Sequence, residues 1–535
     1  MFETVGSVLN FKLFWISAII FVFYSYFKLI IYSYWKRHDI PHDKPTVPFG
    51  NIGMDLITKK VSIGEKMKFS YDKYKKHPFH GLYMFHKPTL MVNDPEVIKY
   101  VLVKEFTHFH DRGMYFNDKI DPISGHLFFM TGDRWRALRI KLSPSFTSGK
   151  LKNMYPFVQE IADEMVNIAS ENLEKTNVLE IKELVARYTT DTIFSLAFGF
   201  NANTLRNPDS EFRHYGDLSI KNAPLFNAIA AFTPYILEFF KIPFTNAKAA
   251  AFFIKLFKDM IEQRKMEKKN RKDFLNLLIE LIDHGQIRDQ EGENSTDEPV
   301  NLTKLKLLEA VAQAFVFFLA GFETSSSIVT HTLYELALNP DEQEKLHQDI
   351  DELLKRDGGF NYENKWHFMV SQAISSHKLS YEGMAMLYNA DYAISETLRK
   401  HPSLPFLNRI CVKDCKLPNS DFVVPEGMPI IISISGLHRD PNIHPDPDKF
   451  DPTRFSKENI AARHPYAYLA FGEGPRICIG KRLGIMMSTV ALATLLSKFK
   501  FSVCDRTPIP NRYSMNSILQ TPGDGIYLGM EKRKK

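Results

Sequence analysis

The longest uninterrupted apolar run lies near the amino end. From Leu13 to Trp35 every residue is apolar or aromatic except Ser17, Ser25, Lys28 and Ser33. A helix over those positions would rise about 34 Å, against about 30 Å for a bilayer's hydrocarbon core. Tyr24, Tyr26, Tyr32, Tyr34 and Trp35 fit an interfacial belt, and Lys36, Arg37 and His38 follow at once. Positive charge after the span predicts that the next segment stays on the cytoplasmic side. No small-residue cleavage site precedes that segment, so residues 1–38 read as an uncleaved single-pass anchor with a basic flank. A buried helix is the competing reading, supported by Lys28 inside the run. Residues 39–51 hold Pro41, Pro45 and Pro48. Proline lacks an N–H and fixes φ, so this stretch reads as a stiff extended connector.

From residue 52 to 535 the pattern is mostly helical, with neither repeat nor long linker, and reads as one domain. Strand-like stretches appear near Phe79–Val92 and within Leu407–Ile434. Asp283–Val300 is strongly acidic and reads as a surface loop. It precedes the longest helical pattern, Leu302–Leu338, which contains one glycine and no proline. That helix would span about 56 Å, and its middle, Ala314–Phe322, is apolar on all sides, as a buried segment should be. The expected class is mainly α with small β-sheets.

Composition narrows the picture. Hydrophobic residues make up 44% and charged residues 24%, with 43 phenylalanines, which is globular usage with a large aromatic interior. A net charge of +6 is too mild to argue for nucleic acid. Cys411, Cys415, Cys478 and Cys504 are the four cysteines, too few for a disulfide framework in a chain this long. Cys411 and Cys415 could form half a metal site, but the sequence offers no second half, and no metal or redox role is expected of them. Cys504 is expected to be inert.

Chemistry concentrates in Phe471–Gly484. Gly472, Gly474 and Pro475 force a loop, and a helical pattern follows. Cys478 then sits near a helix N-terminus beside Arg476, Lys481 and Arg482, a field that favours thiolate. A phosphate loop needs four residues between glycines and a Ser/Thr after the lysine; here Gly474 and Gly480 enclose five and Arg482 replaces the hydroxyl. A dinucleotide fingerprint needs glycine at Ile477. Zinc needs further ligands nearby. A lone thiolate suits heme iron. An ordinary buried cysteine in a glycine-rich turn fits this loop as well.

Phe471-x-x-Gly474-x-Arg476-x-Cys478-x-Gly480 resembles the heme-binding loop of the cytochrome P-450 monooxygenases. Other segments share the resemblance. Glu396 and Arg399 match the family's E-x-x-R pair, and Phe450–Phe455 resembles the meander whose arginine, here Arg454, completes it. Ala320-Gly321-Phe322-Glu323-Thr324-Ser325 resembles the oxygen-activating segment. There Gly321 and Thr324 should weaken the helix locally, with Thr324 bonding back to the Ala320 carbonyl. The resemblance implies that Glu323 and Thr324 relay protons. Trp135 and Arg139 resemble the W-x-x-x-R that contacts heme propionates, and Arg112, Arg409 and Arg476 would join them. His438 is expected to be structural.

The resemblance implies a cytochrome P-450 fold holding heme b (iron protoporphyrin IX) through Cys478. It implies insertion of one oxygen atom from O2 into lipophilic small molecules: xenobiotics, hormones or fatty acids. No flavin or nicotinamide motif is present. Electrons would therefore come from NADPH through NADPH–cytochrome P-450 reductase, with cytochrome b5 a second candidate donor. Arg134, Arg136, Lys141, Lys481 and Arg482 would face that acidic partner. Tyr34-Trp35-Lys36-Arg37, Ile40-Pro41 and Ser143–Lys152 resemble insect microsomal members, the family numbered six. That likeness implies the endoplasmic reticulum membrane, with the catalytic domain on the cytoplasmic side. A heme-thiolate isomerase or dehydratase, and a heme-containing ligand-sequestering membrane protein, are the alternatives. Phe226, Phe232, Phe315, Phe317, Phe318 and Phe322 are candidates for an apolar substrate pocket, although core packing suits them too. Two departures stand out. Ala470 replaces a usual proline, and Phe360–His377 has no family counterpart. That segment is expected to be a retained intron or a lineage-specific loop outside the site.

Overall fold

The computed structural model describes residues 2–267, 271, 273–285, 304–358, 380–384 and 386–534. Phe360–His377 and most of the acidic stretch after Asp283 lie outside the described residues. The longer helices are α1 (Phe2–Tyr26), α2 (Gly132–Leu142), α3 (Ser148–Leu173), α4 (Ile181–Phe198), α5 (Glu211–Ile220), α6 (Ala247–Glu267), α7 (Phe274–Asp283), α8 (Leu307–Leu338), α9 (Pro340–Gly358), α10 (Tyr388–Lys400) and α11 (Lys481–Lys498). The strands are β1 (Phe79–Met84), β2 (Lys87–Val92), β3 (Val178–Glu180), β4 (Phe406–Ile410), β5 (Cys415–Lys416), β6 (Val423–Val424), β7 (Pro429–Ser433), β8 (Phe499–Ser502) and β9 (Tyr527–Lys532). They form sheets ordered β1-β2-β7-β4, β3-β9-β8 and β5-β6. The fold is mainly α with small β-sheets.

Helix α8 crosses the helical core against α4, α6 and α11. Its apolar middle is buried for the reason the sequence suggests: Phe315 packs on Phe253, Phe318 on Phe194 and Phe253, and buried Phe322 stacks on Phe318. The helix begins at Leu307, five residues later than the pattern predicts, where Glu309 Oε2 accepts the Lys306 N–H at 2.8 Å. It runs unbroken through Gly321. A Cβ there would lie 2.4 Å from Ile193 Cδ1. The glycine therefore serves close approach of α8 to α4 rather than local weakening.

A second core forms around the four-stranded sheet, and the end of the apolar run belongs to it. Phe11–Arg37 is long and apolar enough to cross a membrane, and α1 is a candidate anchor. The expected aromatic belt is divided. Tyr24 and Tyr26 are exposed, whereas Trp35 is 0% exposed and Tyr32 is buried. Trp35 Nε1–H donates to the Leu82 carbonyl at 2.8 Å, and its backbone N–H to Tyr83 Oη at 3.1 Å. A buried tryptophan removes about 150–250 Å² from water, so this contact contributes at most about 4–6 kcal/mol. The proline-rich connector continues onto the sheet through bridges His42↔Gly81 and Gly50↔Met84.

Candidate active site

The cysteine loop is closed by its own backbone. The N–H of Cys478 donates to the Phe471 carbonyl, that of Ile477 to Gly474 and that of Gly472 to Leu469, each at 2.9 Å. Gly472 and Gly474 take φ of +69° and +76°, and a Cβ on Gly474 would lie 2.1 Å from the Leu102 carbonyl oxygen. Both the turn and the close approach require glycine. Gly480 is the N-cap of α11 and turns its N–H toward the Cys478 sulfur. Arg139 on α2 donates to the Ile477 carbonyl at 2.8 Å, and the Lys481 ammonium lies 5.5 Å from the centre of the Phe471 ring.

The Cys478 thiol is crowded by protein, yet the residue is exposed. Burial pushes its pKa up, and the Gly480 N–H with Arg139, Arg112 and Lys481 pulls it down. The positive field read from the sequence exists, but Arg139 and Arg112 supply most of it rather than Arg476 and Arg482. With the protein's own charges alone, burial outweighs it.

Helix α8 presents a matching anomaly. Ala320 is exposed in the middle of a core helix whose neighbours Phe318 and Phe322 are buried. Thr324 Oγ1–H donates to the Ala320 carbonyl at 2.6 Å, the bond its spacing predicts. The first turn of α11 packs here: a Cβ on Gly484 would sit 3.7 Å from Ser325 Oγ. Glu323 is buried. Lys182 at the start of α4 donates to its Oε1 at 2.6 Å and to Ser326 Oγ at 3.0 Å, while Glu323 Oε2 has no partner. Lys182 carried no signal in the sequence.

Four guanidiniums gather on one side of the cysteine. They interact electrostatically: in addition to burial, Arg139 lowers the pKa of Arg112, Arg112 and Arg139 lower that of Arg476, and Arg112 and Arg476 lower that of Arg409. Burial followed by Arg112 pushes Arg476 down to about 9; burial followed by Arg139 pushes Arg112 down to about 10. Arginine stays charged in proteins, so these directions measure unfavourable energy rather than lost protons. Arg476 lies over the Trp135 ring at 4.0 Å and donates to the Met130 carbonyl at 2.9 Å, leaving Nε and Nη1 unpartnered. Arg409 donates to its neighbour's carbonyl, Asn408, at 2.7 Å, and its Nε is unpartnered. Arg112 lies over Phe128 at 4.2 Å and donates to the Phe128 carbonyl at 3.2 Å. Asp111 pairs with Arg476 at 3.2 Å and also accepts the Gly132 N–H at 2.9 Å, which fixes the start of α2. Buried His126 is pushed down to about 3, chiefly by burial, with Arg112 adding to the shift. The resemblance pointed to Arg112; nothing in the sequence singled out Asp111 or His126.

Behind the loop lies a second buried charge cluster. Arg399 Nε and Nη2 donate to Glu396 at 2.7 and 2.8 Å, with both side chains 0% exposed. Arg399 also reaches the carbonyls of His438 and Lys449. Arg454 Nε stands 3.5 Å from Glu396 Oε1, an ion pair without a hydrogen bond, and the Asp451 N–H donates to the same oxygen at 2.9 Å. His438 stacks on Tyr468, and its Nε2 accepts the Leu469 N–H at 2.8 Å. Leu469 in turn accepts from Gly472, so this network runs straight into the cysteine loop, and His438 is structural.

The other expected positions divide. Arg136, Lys481 and Arg482 are exposed; Arg134 is paired with Glu309 and Asp118, and Lys141 donates to the Gly285 carbonyl. Phe315, Phe317, Phe318 and Phe322 pack as core, and Phe226 stacks on Phe244. Phe232 lines a cavity of about 170 Å³ with Arg112, Arg409, Met114 and Tyr235. Cys411 and Cys415 are buried at the β5-β6 hairpin, and half-buried Cys504 borders Thr507.

Comparison with known proteins gives one answer. The family described as cytochrome P-450 matches residues 45–528. The chain is 40% identical over 522 residues to the fruit-fly (Drosophila melanogaster) protein named probable cytochrome P-450 6a14, covering 94% of this chain and 96% of that one. It is 38% identical over 510 residues to cytochrome P-450 6a2 of the same species, with 94% and 96% covered. It is 36% identical over 527 residues to cytochrome P-450 6k1 of the cockroach Blattella germanica, with 97% and 96% covered.

Proposed function

The chain belongs to the cytochrome P-450 family, a heme-thiolate monooxygenase, and on that premise we propose that Cys478 is the residue that holds its heme. The observation that carries the assignment is the pairing of an exposed thiol with four clustered guanidiniums, two of which, Arg409 and Arg476, have buried donors without partners among the described residues. Heme b would ask the protein for one thiolate to its iron and for cationic donors to its own two carboxylates, and Cys478 with the four arginines fits that demand. Heme, when bound, supplies O2 activation and transfer of one oxygen atom to an organic substrate.

The chain's residues do the rest. Arg112, Arg139, Arg409 and Arg476, with Trp135, would hold the heme's two carboxylates through charge-assisted hydrogen bonds. Phe471 and Gly480 shape the loop so that the sulfur receives the Gly480 N–H. Ala320 leaves a shallow place on α8, and Thr324 borders it with a hydroxyl that positions a proton there. Glu323, buried and held by Lys182, is the acid behind it. Glu396, Arg399 and Arg454 brace the loop from behind. NADPH–cytochrome P-450 reductase is the proposed electron source, with cytochrome b5 as a second donor, meeting exposed Arg136, Lys481 and Arg482. The substrates are lipophilic small molecules that enter an apolar pocket. The candidate anchor sets the location at the endoplasmic reticulum membrane, with the catalytic domain facing the cytoplasm.

The test is turnover by the purified protein with reductase, NADPH and a compound that shifts its Soret band. Product formed in step with NADPH supports the reading. NADPH-independent conversion of a substrate, or binding without any NADPH consumption, overturns it in favour of an isomerase or a sequestering protein. Thr324→Ala refines it. The variant should bind heme and substrate normally, consume NADPH, release hydrogen peroxide, and form product about 10²–10⁴-fold more slowly. Unchanged coupling would remove Thr324 from the proton path.

A further inference from the structure

Cys415 has a second half to its metal site, and it comes from three hundred residues away. Glu105 follows the helical turn Tyr100–Lys104, and His108 ends the turn Phe106–His108. A carboxylate oxygen of Glu105, a ring nitrogen of His108 and the sulfur of Cys415 all lie within 4.8 Å of one another. Glu105 Oε2 is 3.1 Å from His108 Nδ1. The Tyr100 hydroxyl stands 3.9 Å from the sulfur and donates to the Lys416 carbonyl at 3.1 Å. Cys415 is buried, while Glu105 and His108 are half-buried and partly reached by solvent.

We propose that Glu105, His108 and Cys415 form a binding site for a divalent cation of zinc type, separate from the heme-binding loop. In a tetrahedral zinc site, bonds of about 2.0–2.3 Å put neighbouring ligand atoms about 3.2–3.6 Å apart. Glu105 and His108 already stand 3.1 Å apart, and the widest separation would need to close by at most about 1.2–1.6 Å to reach that geometry. Sulfur, nitrogen and oxygen donors together select zinc over calcium or magnesium, which prefer oxygen alone. The charges balance: a thiolate and a carboxylate neutralise a dication, with a neutral imidazole between them. Metal binding displaces the thiol proton, which leaves for solvent as the metal–sulfur bond forms. Water completes the fourth position.

The two segments that the metal would join already run together. The Val412 N–H donates to the His108 carbonyl and the Ile410 N–H to the Asp111 carbonyl, each at 2.9 Å. One segment continues to Arg112, and the other begins at Arg409. A bound cation would therefore clamp the two backbones that deliver half of the arginine cluster. Cys411 takes no part: its thiol donates to the Lys413 and Val424 carbonyls. The proposal does not depend on the heme assignment.

The experiment is equilibrium dialysis of the full-length, chelator-stripped protein against zinc chloride, with metal counted by mass spectrometry. The expected result is one zinc per chain at a Kd near or below about 10 μM. Cys415→Ser and His108→Ala should each weaken it by about tenfold or more, and Cys411→Ser should leave it intact. Zinc should also protect Cys415, and not Cys504, from iodoacetamide in wild-type protein, which keeps the test open if a variant fails to fold. Absence of wild-type binding, binding indifferent to Cys415→Ser, or absence of protection would each overturn the site.

Discussion

Arg399 and Arg409 stand ten residues apart, and both are wholly buried, yet their surroundings are opposite. Arg399 is closed. It has a bidentate carboxylate, two backbone carbonyls and a second arginine that shares the same glutamate. Arg409 is open. Among the described residues it donates only to the adjacent carbonyl, its Nε has no partner, and its charged neighbours are Arg112 and Arg476. A buried charge paired and hydrogen-bonded within the chain reads as structure. Several like charges buried together with unpartnered donors read as a site for anions, because their desolvation is only partly offset among the described residues. Asp111 pairs with Arg476 at 3.2 Å, but one carboxylate cannot balance four guanidiniums.

The largest effect should come from the residue beside the open cluster. Cys478→Ser should abolish turnover and the ferrous–carbonyl band near 450 nm that thiolate donation produces (the wavelength is about that value for the family). If the open arginines surround a heme held by some other residue, the band survives, and the comparison loses its functional half. Cys415→Ser, by contrast, should leave the band intact.

Next comes the closed cluster. Arg399→Ala leaves Glu396 buried with its main partner gone, and breaking a buried pair costs about 3–5 kcal/mol. Most of the stability of a domain is of that order. Urea unfolding followed by circular dichroism should show the loss with or without heme, since every partner of Arg399 is in the chain. A loss seen only in the heme-loaded protein would mean that this cluster, too, is completed by the ligand.

Much of this was legible in the sequence where the signal is local. The cysteine loop is fixed by glycines within ten residues, Glu396 and Arg399 share a helix face three residues apart, and Thr324 bonds four residues back. The fold class was readable from the apolar middle of α8 and the sparse β patterns. Partners from distant segments were not readable. Lys182 meets Glu323 across 141 residues, and Glu105 and His108 reach Cys415 only after the chain folds. The sequence also left open residues whose type fits two settings. Trp35 suits an interface or a core, and four phenylalanines of α8 suit a pocket or a core; packing against β1 and against α4, α6 and α7 decides both. Gly321 looked like weakness because its packing partner, Ile193, lies on another helix.

The smallest effect is also the sharpest test of the difference. Arg409→Met replaces a buried, repelled guanidinium with an apolar chain of similar length. Exchanging poorly compensated buried charge for hydrophobic packing is neutral or stabilising in many cores, so the heme-free protein should keep its urea midpoint or gain, within about 1 kcal/mol. Heme should nonetheless leave faster. One charge-assisted hydrogen bond to a carboxylate is worth about 1.5–3 kcal/mol, which is about 10- to 100-fold in dissociation. Transfer of heme to an excess of apomyoglobin measures that rate directly. Arg399→Ala should show the reverse pattern, with the heme-free protein damaged first. If Arg409→Met instead destabilises the heme-free chain by several kcal/mol, Arg409 is braced from within like Arg399, and the four arginines are scaffold rather than a seat for carboxylates.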